Sequence, residues 1–223
     1  HLMDAMPVTF GQELSGWQAQ IELIKHNIQN LIPDLQLLAL GGTAVGTGIN
    51  AKPEFAKLAC DYLNNLHKTN LKFEPNKNYF SAISGIETIN ILSGKLKTFA
   101  CLLTKIANDL RLMNSGPISG LGEIKLQALQ PGSSIMPGKV NPVIPEAIIM
   151  TAAQIIGNDS TITMCAQAGN FQLNTMLPVT IYNILSSIKL ASNASKVLAY
   201  KCINSFTVNN NKMTENLNKN PIL

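Results

Sequence analysis

Charge is scarce in this sequence. Charged residues fill 13% of its 223 positions and hydrophobic ones 46%, against about a quarter charged in an ordinary soluble domain. So bare a surface is expected to be covered in part by other subunits rather than by water. The net charge of +4 is mild, and no lysine or arginine run is dense enough to follow a nucleic acid backbone. The four cysteines (Cys60, Cys101, Cys165, Cys202) form no C-x-x-C pair, and none clusters with the three histidines. That spacing argues against a zinc site and a disulfide framework, so no metal and no cofactor is expected. The cysteines read as buried thiols of a reducing, cytoplasmic compartment. No apolar run reaches membrane-spanning length, none reads as a signal peptide, and no stretch alternates long enough for a strand. The sequence opens on His1 and stops at Leu223, which reads as a piece of something longer.

What is present is helical periodicity. Leu14, Trp17, Ile21, Ile24, Ile28 and Leu31 step by threes and fours, predicting a core-facing helix from Gly11 that Pro33 interrupts. A short helix is predicted from Pro53 to about Asn65, with proline at its start. From Ile83 to Leu112 the apolar face is unbroken, predicting one helix from about Asn78 to Met113. At the α-helical rise it would be about 54 Å long, more than a small domain can cover alone, so a bundle shared between subunits is its natural setting. Further helices are predicted over 146–156, with a break or restart at Gly157-Asn158-Asp159, then to Gln167, over 175–205 and over 212–219. His26 reads as a helix-surface residue and His67 as a cation near a helix end. The reading is all-α.

Two glycine-rich breaks interrupt the helices. Gly41-Gly42-Thr43-Ala44-Val45-Gly46-Thr47-Gly48-Ile49-Asn50 fits neither G-x-G-x-x-G nor the P-loop spacing, which argues against a nucleotide site. It predicts a tight, substrate-facing loop whose glycines let the backbone approach another chain or a ligand. The second break runs from Gly132 to Pro142. Two serines beside a glycine can turn backbone N–H groups and hydroxyls towards an anion. Lys139 adds a positive charge, Asn141 an amide that donates and accepts, and Pro142 suits the first turn of the next helix.

This second break resembles the GSSxMPxKxNP signature of the fumarase/aspartase superfamily, with every fixed position filled. Gly138, between Pro137 and Lys139, resembles the class II fumarase form of the loop, where aspartate ammonia-lyases usually carry Ala. Four more runs resemble the family in its own order. They are His1-Leu2-Met3-Asp4-Ala5 with Pro7, Gly11, Gln12 and Glu13; the GGTAVGTGxN run at Gly41; Lys105-Ile106-Ala107-Asn108-Asp109-Leu110-Arg111 with Ser115-Gly116-Pro117; and Gly169-Asn170-Phe171-Gln172-Leu173-Asn174. Two positions depart from the fumarase pattern. Ile118 stands where many fumarases have Arg, and Gln172 replaces the usual Glu, as aspartases often do.

The resemblance implies a long-helix bundle completed by oligomerisation, expected as a homotetramer. Residues 1–223 would be the central helical domain, with the family's N-terminal and small C-terminal domains absent. It implies reversible trans hydration of fumarate to (S)-malate, a small dicarboxylate substrate, and no metal. Ser133 would be the base that takes the C3 proton of malate, its anion stabilised by the Gly-Ser-Ser amides and by Lys139. Ser134, Lys139, Val140 (through its backbone) and Asn141 would hold the carboxylate and aci-carboxylate oxygens. His1 would handle the water or departing hydroxide, paired with Glu146. Two alternatives stay open: an aspartate ammonia-lyase using the same loop, and a helical assembly fragment that is no catalyst by itself.

Overall fold

Thr9 starts the first long helix. Its hydroxyl accepts from the Gln12 backbone N–H at 3.2 Å, and the Gln12 side chain accepts from the Thr9 N–H at 2.8 Å. This reciprocal capping box satisfies two N–H groups that would otherwise be left unpaired. The structure is a computed structural model that describes residues 3–67 and 71–221. Its helices are α1 (Phe10–Gln29), α2 (Ile32–Leu35), α3 (Phe55–His67), α4 (Tyr79–Ser84), α5 (Glu87–Met113), α6 (Val143–Ala166), α7 (Leu177–Leu198) and α8 (Asn210–Asn218). A π-helical turn, Ala199–Ile203, comes directly after α7. Among the described residues, strands are confined to two short pairs. β1 (Leu37–Leu38) lies parallel to β2 (Glu74–Pro75), and β3 (Ile124–Lys125) antiparallel to β4 (Thr207–Val208).

The chain divides into two compact units. One comprises residues up to Leu23, Thr98–Ile155 and the chain from Lys189 on; the other comprises Ile24–Lys97 and Ile156–Ile188. Each of α1, α5, α6 and α7 gives a stretch to both. In the first unit Leu103, Ile106 and Leu110 of α5 are buried, as are Ile148 and Ile155 of α6. Ala191 and Ala194 of α7 are buried too, small enough to let helices approach closely. The second unit buries Ile24, Cys60, Leu92, Ile162 and Ile184, and with them a set of polar groups. Each large aliphatic side chain removed from water contributes about 1.5–3 kcal/mol. A buried polar group adds nothing comparable and must be hydrogen-bonded.

The helix predicted from Asn78 to Met113 is two helices. Asn78 caps α4 by accepting from the Ser81 N–H at 3.1 Å. Gly85 then turns extended at the C-cap, so α5 begins only at Glu87. Glycine is about 1 kcal/mol worse than alanine inside a helix, which makes it a natural stop. Gly157 does not stop α6, contrary to the predicted break. Both residues after it are tied to neighbouring helices. Asp159 accepts from Ser93 Oγ at 2.7 Å and from Lys97 Nζ at 2.6 Å. Asn158 donates to Ser187 Oγ at 3.0 Å. Those bonds hold the turn that glycine by itself would loosen.

Two smaller readings are also corrected. Cys101 is exposed, on the outer side of α5, although Cys60, Cys165 and Cys202 are buried. Ile21 belongs to the apolar stripe of α1 yet is exposed. The glycines at 42 and 46 lie against α4 of this chain. A Cβ on Gly42 would stand 2.8 Å from the Ile83 side chain, and one on Gly46 3.0 Å from the Phe80 backbone nitrogen.

Candidate active site

β3 leads towards the serine loop and is held from two sides. The Asn114 side chain accepts from the Leu126 N–H at 2.8 Å, and the Asn209 N–H donates to the Glu123 carbonyl at 2.8 Å. The loop then closes on itself. The Gly132 N–H donates to the Lys139 carbonyl at 2.7 Å, and Asn141 Nδ2 to the Gly132 carbonyl at 3.3 Å. Only glycine fits at 132, because a Cβ there would lie 2.8 Å from the Lys139 oxygen and 2.9 Å from Asn141 Oδ1. The closure brings Ser133, Ser134, Lys139, Val140 and Asn141 into one small ring of backbone. Pro142 comes next, its carbonyl accepting from the Glu146 N–H at 3.2 Å, so Glu146 stands in the first turn of α6.

Ser133 is half-buried, and its hydroxyl oxygen accepts from the backbone N–H groups of Ile135 and Met136, both at 3.2 Å. Two amides aimed at one oxygen favour its anionic form. They come from the far side of the turn, not from the Gly-Ser-Ser amides that the sequence suggested. Ser134 and Lys139 are exposed. The Lys139 ammonium has no ion-pair partner among the described residues, so its charge is available to an anion. Glu146 is half-buried, and a carboxylate at a helix start is favoured by the helix dipole. His1 lies outside the described residues.

A large cavity lies elsewhere in the same unit. It measures about 1000 Å³ and is lined by Asp4, Glu13, Asp109, Glu123 and residues of α8. No residue of the serine loop borders it. The loop chemistry, not the cavity size, therefore marks the candidate site. The cavity does join two of the sequence motifs. Lys105 Nζ lies 3.0 Å from Glu13 and 2.5 Å from Asp109, linking the run that opens at His1 to the run at 105–111. Asn220 Nδ2 also reaches the Ala5 carbonyl at 2.9 Å. This link was missed in the sequence, where Lys105 and Glu13 are far apart.

The last motif belongs to the other unit. Asn170 and Leu173 exchange backbone hydrogen bonds at 2.8 and 3.1 Å, with Phe171 at the tip in the left-handed region (φ 48°). Asn174 is buried and donates to the Cys165 carbonyl at 3.0 Å. Ile118, where a charge was missing from the pattern, is 89% exposed. No group of three or more His, Cys, Asp or Glu placed to hold a metal occurs among the described residues. Nor is any helix among them long and apolar enough to cross a membrane.

Long helices carrying a serine loop of this kind are the fold and site of the fumarase/aspartase superfamily. The chain belongs to its lyase family, which it matches over residues 1–157. It is 57% identical over all its residues to fumarate hydratase class II 2 of Pseudomonas aeruginosa, of which it covers 48%. To the class II fumarate hydratase of Bacillus subtilis it is 46% identical, again over the whole chain and 48% of that protein. Among solved structures, the recombinant class II fumarase of Schistosoma mansoni superposes with a TM-score of 0.96 at 37% identity, over 99% of this chain and 49% of the other. The chain spans about half the length of these relatives.

Proposed function

We propose that this chain is the central helical domain of a cytoplasmic class II fumarate hydratase, which adds water reversibly across fumarate to give (S)-malate. The observation that carries the reading is the pair of amides on the Ser133 oxygen. The difficult step is removal of a weakly acidic C–H proton beside a carboxylate. Ser133 Oγ, as the alkoxide, takes the C3 proton of malate, and the electron pair moves into the neighbouring carboxylate as a doubly charged aci-carboxylate. The Ile135 and Met136 amides hold the alkoxide before the step and the neutral hydroxyl after it. Lys139, Ser134, Asn141 and the Val140 backbone then hold the oxygens where charge develops, which lowers the barrier more than it tightens substrate binding. His1, oriented by Glu146, protonates the departing hydroxide. Names of the relatives support a hydratase over an ammonia-lyase, since those compared are fumarate hydratases.

The same reading includes self-association as a homotetramer. α6 is mostly apolar with no single apolar face, the pattern of a helix covered on several sides, yet Met150 and Met164 are exposed on it. On α7, Ile181, Tyr182, Leu185 and Ile188 are also exposed. A monomer rarely leaves so much apolar surface in water.

The test is a fumarate absorbance assay on the complete protein and its Ser133→Ala variant, with gel filtration alongside. The expected result is a fall in kcat of at least about a thousandfold, the order of losing a catalytic group, with the oligomer unchanged. Near-normal turnover removes Ser133 from its role. Turnover of aspartate in place of malate makes the protein an ammonia-lyase.

A further inference from the structure

The π turn backs the serine loop. Lys201 and Cys202 share one small cavity with Leu126 and Leu129, which lie before the loop, and with Pro142 and Pro145, which lie just after it. Cys202 is 1% exposed and Pro145 is fully buried, so neither wall can relax into solvent. The turn is set by the Asn204 N–H donating to the Ala199 carbonyl at 2.9 Å, five residues back, and by the Cys202 carbonyl accepting from the Phe206 N–H at 2.9 Å. A π turn holds one residue more than an α turn, so the chain beyond it is rotated by about 100° relative to a plain helix. That rotation delivers the chain to β4, which pairs with β3 on the way into the loop. One segment, from Ala199 to Val208, thus braces both the entrance and the exit of the loop.

We propose that Cys202, set in place by the π turn, is a positioning residue for the Ser133 loop. It acts through Pro142–Pro145 on Asn141, and through the Asn141–Gly132 and Gly132–Lys139 hydrogen bonds on Ser133 itself. The inference rests on the catalytic reading of that loop. Lys139 is long and exposed, so it can still find a carboxylate when the loop shifts. The Ser133 hydroxyl is short and must stay aligned with one carbon. A displacement of about 1 Å at such a contact costs on the order of a hundredfold in rate. Disturbing the brace therefore lowers kcat while leaving KM nearly alone.

The experiment uses the complete protein with four changes: Cys202→Ser, which keeps the volume; Cys202→Ala, which leaves a void; Cys202→Leu, which overfills the cavity; and deletion of Tyr200, an exposed residue whose loss restores an α turn. A serine hydroxyl can bond the carbonyl one turn back, so the Ser variant keeps the shape even at some cost in stability. The Ala, Leu and deletion variants are expected to lose about tenfold or more in kcat per folded molecule, with KM within about threefold, and Ser to restore kcat to within about twofold. Circular dichroism and gel filtration count the folded molecules, and the Ala variant carries the test where overpacking or deletion prevents folding. A kcat within twofold of the parent in every folded variant, with Ser133→Ala inactive, overturns the inference. Turnover that survives Ser133→Ala overturns instead the loop reading beneath it, and the inference with it.

Discussion

Lys105 of α5 holds Glu13 of α1 at 3.0 Å. The same ammonium stands 2.5 Å from Asp109 and 5.5 Å from the centre of the Trp17 ring, while Trp17 Nε1 donates to Glu13 at 2.9 Å. Burial by itself would lower the Lys105 pKa, but hydrogen bonds to Asp109 and then Glu13 outweigh it and raise the group above its ordinary 10.5. A cation whose pKa is raised on folding stabilises the fold fully below the unfolded value, and that contribution is lost as pH rises through the folded one. Lys105→Met should therefore be less stable than the parent up to about pH 10.5, with the gap closing above it. Thermal midpoints measured across that range check the sign. Because both partners are partly exposed, a Lys105–Glu13 double-mutant cycle should give no more than about 1 kcal/mol.

The Asp159–Lys97 pair is lopsided. Asp159 is almost wholly buried, whereas nearly half of the Lys97 side chain meets water. Removing the lysine strands a buried carboxylate with Ser93 as its remaining bonded neighbour, and removing the aspartate leaves a cation that solvent can reach. Lys97→Met should thus cost on the order of 3 kcal/mol and Asp159→Asn clearly less. Urea midpoints of the two variants decide it; the reverse order would show that the carboxylate is better hydrated than its burial implies.

Gly132 and Gly138 should tolerate alanine very differently. At 132 a methyl group meets the Lys139 oxygen, and the loop must open. At 138 nothing lies within 4 Å, and the penalty is only the left-handed backbone at φ 76°, about 1 kcal/mol. Gly132→Ala is expected to lose at least about a hundredfold in kcat with its circular dichroism unchanged, and Gly138→Ala about tenfold at most. Equal losses would contradict the closed ring.

One thiol in four should react quickly with an aromatic disulfide reagent at pH 8. Cys101 is exposed, while Cys60, Cys165 and Cys202 are buried. Burial also pushes the Cys202 thiol up to about 11, so it stays protonated and inert. Counting released thiolate before and after denaturation gives the ratio. Two fast thiols in the native protein would mean that one of the inner walls is open.

The sequence of the glycine-serine run was enough to mark a candidate site, because the residues that make it a candidate are neighbours along the chain. Small residues, hydroxyls, an amine and an amide sit within eleven consecutive positions, and a turn closes over that distance without help. Helix positions were legible for the same reason, since apolar spacing repeats every turn. What failed was the judgement of breaks. Gly85 and Gly157 look alike in sequence, yet one ends a helix and the other does not. The difference is made by Ser93, Lys97 and Ser187, which lie 29 to 66 residues away and grip Asp159 and Asn158.

By itself the sequence determined that this chain is helical, poor in charge and interrupted by one loop of glycines and serines that carries a lysine and an amide, since each of these depends on neighbours along the chain. Tertiary structure alone decided that Lys105 joins two distant motifs and that a π turn braces the loop from behind. Those are contacts between residues remote in sequence, and their geometry exists only once packing has chosen which surfaces meet.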